Sequence, residues 1–228
     1  MTVLVVAGCT AIDDPAAPQA SDAKPSASPS AGVPGGEAAD TGTLPGVPTA
    51  GQARAELAEL KVAPHGSMSG YSRDKFSHWA EQGENCNTRE TVLERDGTDV
   101  TRDDECRAVS GRWVSVYDGK TFTDASDLDI DHMVPLANGW RSGANTWTQE
   151  ERKAFANDLT YPQLLAVSAA SNRSKGDQGP DEWKPPSQAY WCTYARAWVS
   201  VKSDYELSVT EAENRGPGTN RRSPRGCR

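Results

Sequence analysis

Aromatic residues are confined to one part of this chain, and that confinement decides how much of it can fold. Every Trp, Tyr and Phe lies between Gly51 and Arg215, whereas the first fifty residues are almost all small, Pro or acidic. A segment without large apolar side chains cannot bury enough surface to offset the entropy of ordering it. The reading is one folded domain over 51–215, preceded by a disordered Pro/Ala/Ser/Gly linker over 10–50 and followed by a basic, Gly/Pro-rich tail over 216–228.

Charge narrows the function classes. The net charge is −8, and half of it comes from Asp13, Asp14, Asp22, Glu37 and Asp40 set against Lys24. A protein that coats nucleic acid needs clustered cations to neutralise phosphates, and this chain lacks that balance. An enzyme that handles one phosphate at a time needs only local cations and a metal, so that class stays open.

The start of the chain and its cysteines point to export. Val6-Ala7-Gly8-Cys9 closes a short apolar run and resembles a bacterial lipobox, so residues 1–9 read as a signal remnant with Cys9 as the lipidation site. The expected location is extracytoplasmic, either lipid-anchored to the cell membrane or secreted. With Cys9 assigned to lipid, Cys86, Cys106, Cys192 and Cys227 remain, an even set that suggests two disulfides. Three pairings are possible. Sequence proximity favours Cys86–Cys106 and Cys192–Cys227.

Periodicity and caps give a coarse element map. Gln52–Leu60 and Gln188–Lys202 have helical spacing, and Thr148 with Glu151 forms a capping box that opens a helix to Asn157. Arg112–Tyr117 reads as a strand closed by the Asp118-Gly119 turn signal. Asp127–Pro135 reads as a second strand running into a loop. Gly83–Asp104 reads as a polar loop, Leu164–Ser168 as a short apolar segment and Ser171–Gly179 as a polar stretch. Ser208 and Glu211 suggest a capped last helix. The fold class is α+β.

The chemistry is concentrated in Asp129-Ile-Asp131-His132-Met-Val-Pro135, then Asn157, then Asn172-Arg173-Ser-Lys175-Gly. Phosphodiester hydrolysis needs a base to deprotonate water and a cation to neutralise the leaving oxygen. A neutral His can supply the first, and a hard cation held by carboxylate and amide oxygens the second. These residues resemble the HNH, or ββα-metal, endonucleases. The stretch from Tyr71 to Glu213 is similar to secreted bacterial HNH nucleases, with Arg112-Trp113, Pro135-Leu136-Ala137, Trp140-Arg141 and Lys175-Gly-Asp-Gln178 also fitting that group.

The resemblance implies a ββα-metal core with additional helices. It implies His132 as general base, Asp131 and Asn172 as metal ligands with Asp129 in support, and Asn157 as the residue that holds the loop and orients the base. Arg173 joins the catalytic set, and Lys175 and Arg141 are candidate phosphate contacts. One divalent metal is implied, Mg²⁺ first and Mn²⁺ second. So is a nucleic acid substrate, with DNA favoured, low sequence specificity, and 3′-hydroxyl and 5′-phosphate products. The membrane is contacted through the lipid, and no protein partner is implied. Cutting should fall as the pH drops below the pKa of His132.

Less specific readings apply elsewhere. His65 lies in a Pro-Gly turn and is expected to be idle, and His78 is expected to be structural. Trp140, Trp147, Trp183, Trp191 and Trp198 are better read as core than as base-stacking platforms. Two other function classes fit the composition. One is a non-catalytic, surface-anchored binding module on the same scaffold, for which the Asp131-His132 pair has no use. The other is a zinc hydrolase, which one plausible His cannot build.

Overall fold

A computed structural model describes residues 44–215, which belong to one compact unit. In chain order the elements are α1 (Ala50–Glu59), β1 (Glu81–Gly83), β2 (Cys86–Asn87), α2 (Thr88–Asp96), β3 (Gly97–Arg102), β4 (Ala108–Val114) and β5 (Thr121–Phe122). They continue with β6 (Leu128–His132), α3 (Leu136–Ser142), α4 (Gln149–Ala156), β7 (Leu164–Ser168), α5 (Ala169–Lys175), α6 (Trp191–Asp204) and α7 (Glu211–Asn214). This is a mixed α and β fold with small antiparallel sheets: β1 with β2, β3-β4-β5, and β6 with β7. None of the described helices is long and apolar enough to cross a membrane. Cys9, Cys227 and most of the linker and tail lie outside the described residues.

The β6-β7 pair organises the core because both of its faces are covered. Its register runs from Leu128 opposite Ser168 to His132 opposite Leu164. Successive side chains point to opposite faces. Leu128, Ile130, Leu164 and Ala166 pack on Val92, Leu93 and Trp113. Leu165 and Val167 pack on the other side, in the aromatic cluster of Phe76, Tyr117, Trp140, Phe155, Tyr194 and Trp198. Trp113 is seated by glycine: a Cβ on Gly111 would come within 2.6 Å of its ring. Its indole nitrogen donates to the Leu93 carbonyl at 2.7 Å.

Several local readings need correction. Gly83–Asp104 is not a loop: Asn87 and Glu90 form a capping box that opens α2, which buries Val92 and Leu93. Polar composition concealed a helix whose apolar face is only two residues wide. The strand read at Arg112–Tyr117 lies earlier, at Ala108–Val114. The last helix is opened by Thr210 and Glu213, not by Ser208 and Glu211. The polar stretch after Ser168 starts as helix α5, with Ser168 accepting from the Ser171 amide as its cap. The capping box of Thr148 and Glu151 forms as read.

The Cys86–Cys106 disulfide is present. Cys192 is disulfide-bonded as well, but its expected partner, Cys227, lies outside the described residues. Trp140, Trp183 and Trp198 are buried. His65 is exposed, and its Nε2 lies 3.6 Å from Glu213.

Candidate active site

His132 is the last residue of β6, and its ring leaves the strand on the face shared with Leu128 and Ile130. Only 5% of it is exposed. Its Nε2 lies 3.0 Å from the carbonyl oxygen of Ala156, at the end of α4. A carbonyl can only accept, so Nε2 carries the proton and Nδ1 the lone pair. Burial lowers the imidazole pKa to about 3, against the gain from the Ala156 carbonyl and with help from the charges of Arg73, Lys175 and His78. The ring is thus held neutral, as a proton acceptor must be.

Asn157, next to that carbonyl, uses its whole carboxamide. Its Nδ2 donates to the carbonyls of Ser77 (2.7 Å) and Lys153 (2.8 Å), and its Oδ1 accepts from the Ala80 amide (2.7 Å) and the Thr88 hydroxyl (2.8 Å). These bonds pin the segment that carries His78 and Trp79. The Trp79 ring lies 6.1 Å from that of His132. Asn157 therefore reaches the base only through its neighbour's carbonyl and through this segment.

The opposite face of β6 meets α5. Asp131 is buried, and its two oxygens lie 2.8 and 2.6 Å from Lys175 Nζ, with the Tyr117 hydroxyl donating at 2.5 Å. Lys175 is fully buried and also donates to the carbonyls of His132 (2.7 Å) and Met133 (3.0 Å). Desolvation pushes the Asp131 carboxyl up and the Lys175 ammonium down, and the contact between the two charges opposes both shifts. Lys175 was expected at a phosphate, but no phosphate can reach an ammonium enclosed on all sides. Nor does the structure join Asp131 to Asn172 by a hydrogen bond.

What it does bring together is Asp129 and Asn172. The Asn172 carboxamide nitrogen lies 3.2 Å from Asp129 Oδ2, and Arg173 Nε lies 3.8 Å from the same oxygen. Asp129 is part-exposed, and Arg173 is 77% exposed. The Asn172 side chain can present either its nitrogen or its oxygen there. Arg141, also expected at a phosphate, is committed elsewhere: it donates to the Asp177 carboxylate (2.6 Å) and carbonyl (2.7 Å) and is only 14% exposed.

Three contributors escaped the sequence. Tyr117 was read only as the end of a strand. Asp118 was read as a turn residue, yet its Oδ2 accepts from Ser168 (2.7 Å) and Ser171 (3.1 Å) and so fixes the start of α5. Arg73 is an exposed cation whose charge bears on His132. A signal existed for Lys175, which follows Asn172 by three positions and so shares its helical face. None existed for Arg73, which lies 59 positions before His132 in the sequence.

One face of β6 thus ends in a neutral buried imidazole and the other carries a part-exposed carboxylate–carboxamide pair, on a two-stranded sheet followed by a helix. The sequence profile described as "GmrSD restriction endonucleases, C-terminal domain" matches residues 87–216, more than half of the chain. The chain belongs to that family of HNH-type endonuclease domains. It is also 59% identical over 171 residues to a protein of Arthroderma benhamiae called "Uncharacterized secreted protein", a match that covers 75% of this chain and 84% of the relative. No solved structure matches.

Proposed function

We propose that this protein is an exported endonuclease that hydrolyses phosphodiester bonds, preferentially in DNA and with low sequence specificity. The observation that carries the reading is the 3.0 Å contact between His132 Nε2 and the Ala156 carbonyl, from which the tautomer follows. With Nε2–H committed to Ala156, a lone pair on Nδ1 stands ready to take a proton from water. The nuclease domain spans 51–215 and is built on a ββα-metal core of β6, β7 and α5.

Asp129 and Asn172 fit a divalent cation better than Asp131 does. Their contact offers a carboxylate and a carboxamide oxygen on a part-exposed edge, a sparse set of hard donors that suits Mg²⁺ or Mn²⁺. Among the described residues no group of three or more His, Cys, Asp and Glu could hold a metal, so a zinc cage is not available. The cation, when bound, supplies charge neutralisation at the phosphoryl and leaving oxygens. Arg173 and Arg73, both exposed cations, attract the phosphate backbone. Asn157 keeps the 77–80 segment in place, and Lys175 holds the His132 carbonyl and so the direction of the ring.

Export is supported by the Cys86–Cys106 disulfide, by the lipobox-like Cys9 and by the name of the Arthroderma benhamiae relative. Cys9 supplies a lipid anchor. The test is cleavage of plasmid DNA by the full chain with Mg²⁺, with Mn²⁺ and with EDTA, beside His132→Ala. Metal-dependent cutting that falls about 10²- to 10⁴-fold in the variant is expected. A folded wild type that cuts neither DNA nor RNA with any metal would leave a binding module.

A further inference from the structure

Trp79 differs from the tryptophans of the aromatic core. Trp113, Trp140, Trp183 and Trp198 are buried, whereas Trp79 is only half-buried. The indole nitrogens of Trp113, Trp183 and Trp191 donate to Leu93, Ser174 and Pro185, whereas those of Trp140 and Trp198 are buried without an acceptor and the half-buried Trp79 nitrogen has none among the described residues. Its backbone has φ of +60°, a conformation that a bulky aromatic rarely adopts. Such strain persists only where the surroundings over-determine it.

They do so here. On one side, the Ser77 carbonyl accepts from Asn157 at 2.7 Å and the Phe76 carbonyl contacts His78 Nδ1 at 2.9 Å. On the other, the Ala80 amide donates to Asn157 at 2.7 Å, and the Ala80 carbonyl accepts from the Thr88 amide at 2.9 Å. The held ring lies 6.1 Å from the His132 ring at an interplanar angle of 33°. That separation is comparable with the step from a nucleobase to its own phosphate. Packing against the apolar cluster around Val92 and Ile130, as Trp79 does, would need only an aliphatic side chain in an ordinary conformation. Presenting a flat ring beside the base needs this one.

We infer that Trp79 is a stacking platform for the nucleobase next to the scissile phosphate, which makes single-stranded or locally unstacked nucleic acid the preferred substrate. The inference rests on the nuclease reading above and sharpens it. A base within a duplex already has two stacking neighbours and must leave them to reach Trp79, so duplex substrates carry an added cost. Stacking on an aromatic ring is tolerant of base identity, in keeping with low sequence specificity. The charge of the exposed Arg73 bears on the His132 ring and suits the adjoining phosphate.

The experiment measures binding of a fluorescently labelled short oligothymidylate, and of the same backbone with abasic residues, to the full chain in EDTA. Cleavage of both is then followed with Mg²⁺. Wild type should bind the oligothymidylate about tenfold more tightly than the abasic backbone, and cut single strands faster than duplex. Trp79→Leu, which keeps the apolar cover, should lose that discrimination while still binding both backbones, and Trp79→Phe should keep most of it. Equal binding of the two backbones by wild type overturns the proposal without reference to any variant. Base discrimination without cleavage would leave the platform standing and remove the nuclease reading. Cleavage without base discrimination would do the reverse.

Discussion

The two faces of β6 carry two acid–base groups one residue apart and treat them in opposite ways. Asp131 is met by a full set of charged and polar partners, so its charge is balanced internally and has no use for a ligand. His132 donates a single hydrogen bond from one nitrogen, and its neutrality comes mainly from burial, with help from nearby positive charges. In the motif these adjacent residues look like one functional unit. In the fold the strand divides them, so that Asp131 is enclosed by its partners while His132 keeps one nitrogen without a hydrogen bond among the described residues, in keeping with the role proposed for it.

The largest effect should come from breaking the brace. Lys175→Met leaves Asp131 charged and unpaired in the core, which should cost about 3–5 kcal/mol of stability in denaturant unfolding. Adding Asp131→Asn removes the stranded charge and should restore most of that loss. A double variant as unstable as the single one would show that the pair is not a charge-compensated unit.

A smaller effect separates the two carboxylates. Asn172→Ala and Asp129→Ala should each raise the Mg²⁺ concentration needed for half-maximal cutting by about tenfold or more, with little change in melting temperature. If Asp131→Asn alone moved the metal requirement while Asp129→Ala did not, the cation would have to be reassigned to the buried face.

The smallest expected effect is none at all. With the His132 pKa lowered to about 3, its base form is present throughout pH 5–8, so the rate over that range should not follow imidazole titration. The fall in cutting anticipated from an ordinary histidine is thereby moved to strongly acid pH. Stability carries the signature instead. The unfolded ring binds protons below its ordinary pKa of 6.5 while the folded ring does not. This contribution is therefore complete above pH 6.5 and is lost as the pH falls toward 3. Thermal unfolding at a series of pH values, with wild type beside His132→Ala, reads it directly.

The sequence was informative where chemistry and local order coincide. The Asp131-His132 pair, Asn157 and Asn172 could be singled out because each lies in a short, distinctive run, and Leu164–Ser168 was visible as an apolar segment. It misled where polar residues do structural work. Lys175 looked like a surface cation, because the one carboxylate that explains its burial sits 44 positions earlier. Helix α2 was hidden because a helix that buries only Thr88, Val92 and Leu93 gives almost no periodic signal. The Trp79 segment was read only as part of an aromatic rim. Its place beside His132 depends on Asn157 and Thr88, two contacts that cross about 70 to 80 positions of chain.

The Cys86–Cys106 bridge can be viewed from the unfolded state. It joins positions 20 apart, and cross-linking a loop of that size removes about 3 kcal/mol of chain entropy from the unfolded ensemble. The loop it closes contains α2, whose first residue, Thr88, holds the Ala80 carbonyl beside Trp79. A reduced chain would thus lose its covalent tether close to residues with left-handed backbone, Trp79, Glu84 and Asn85. A nuclease that oxidises only after export would complete its site outside the cell that makes it, away from that cell's own nucleic acid.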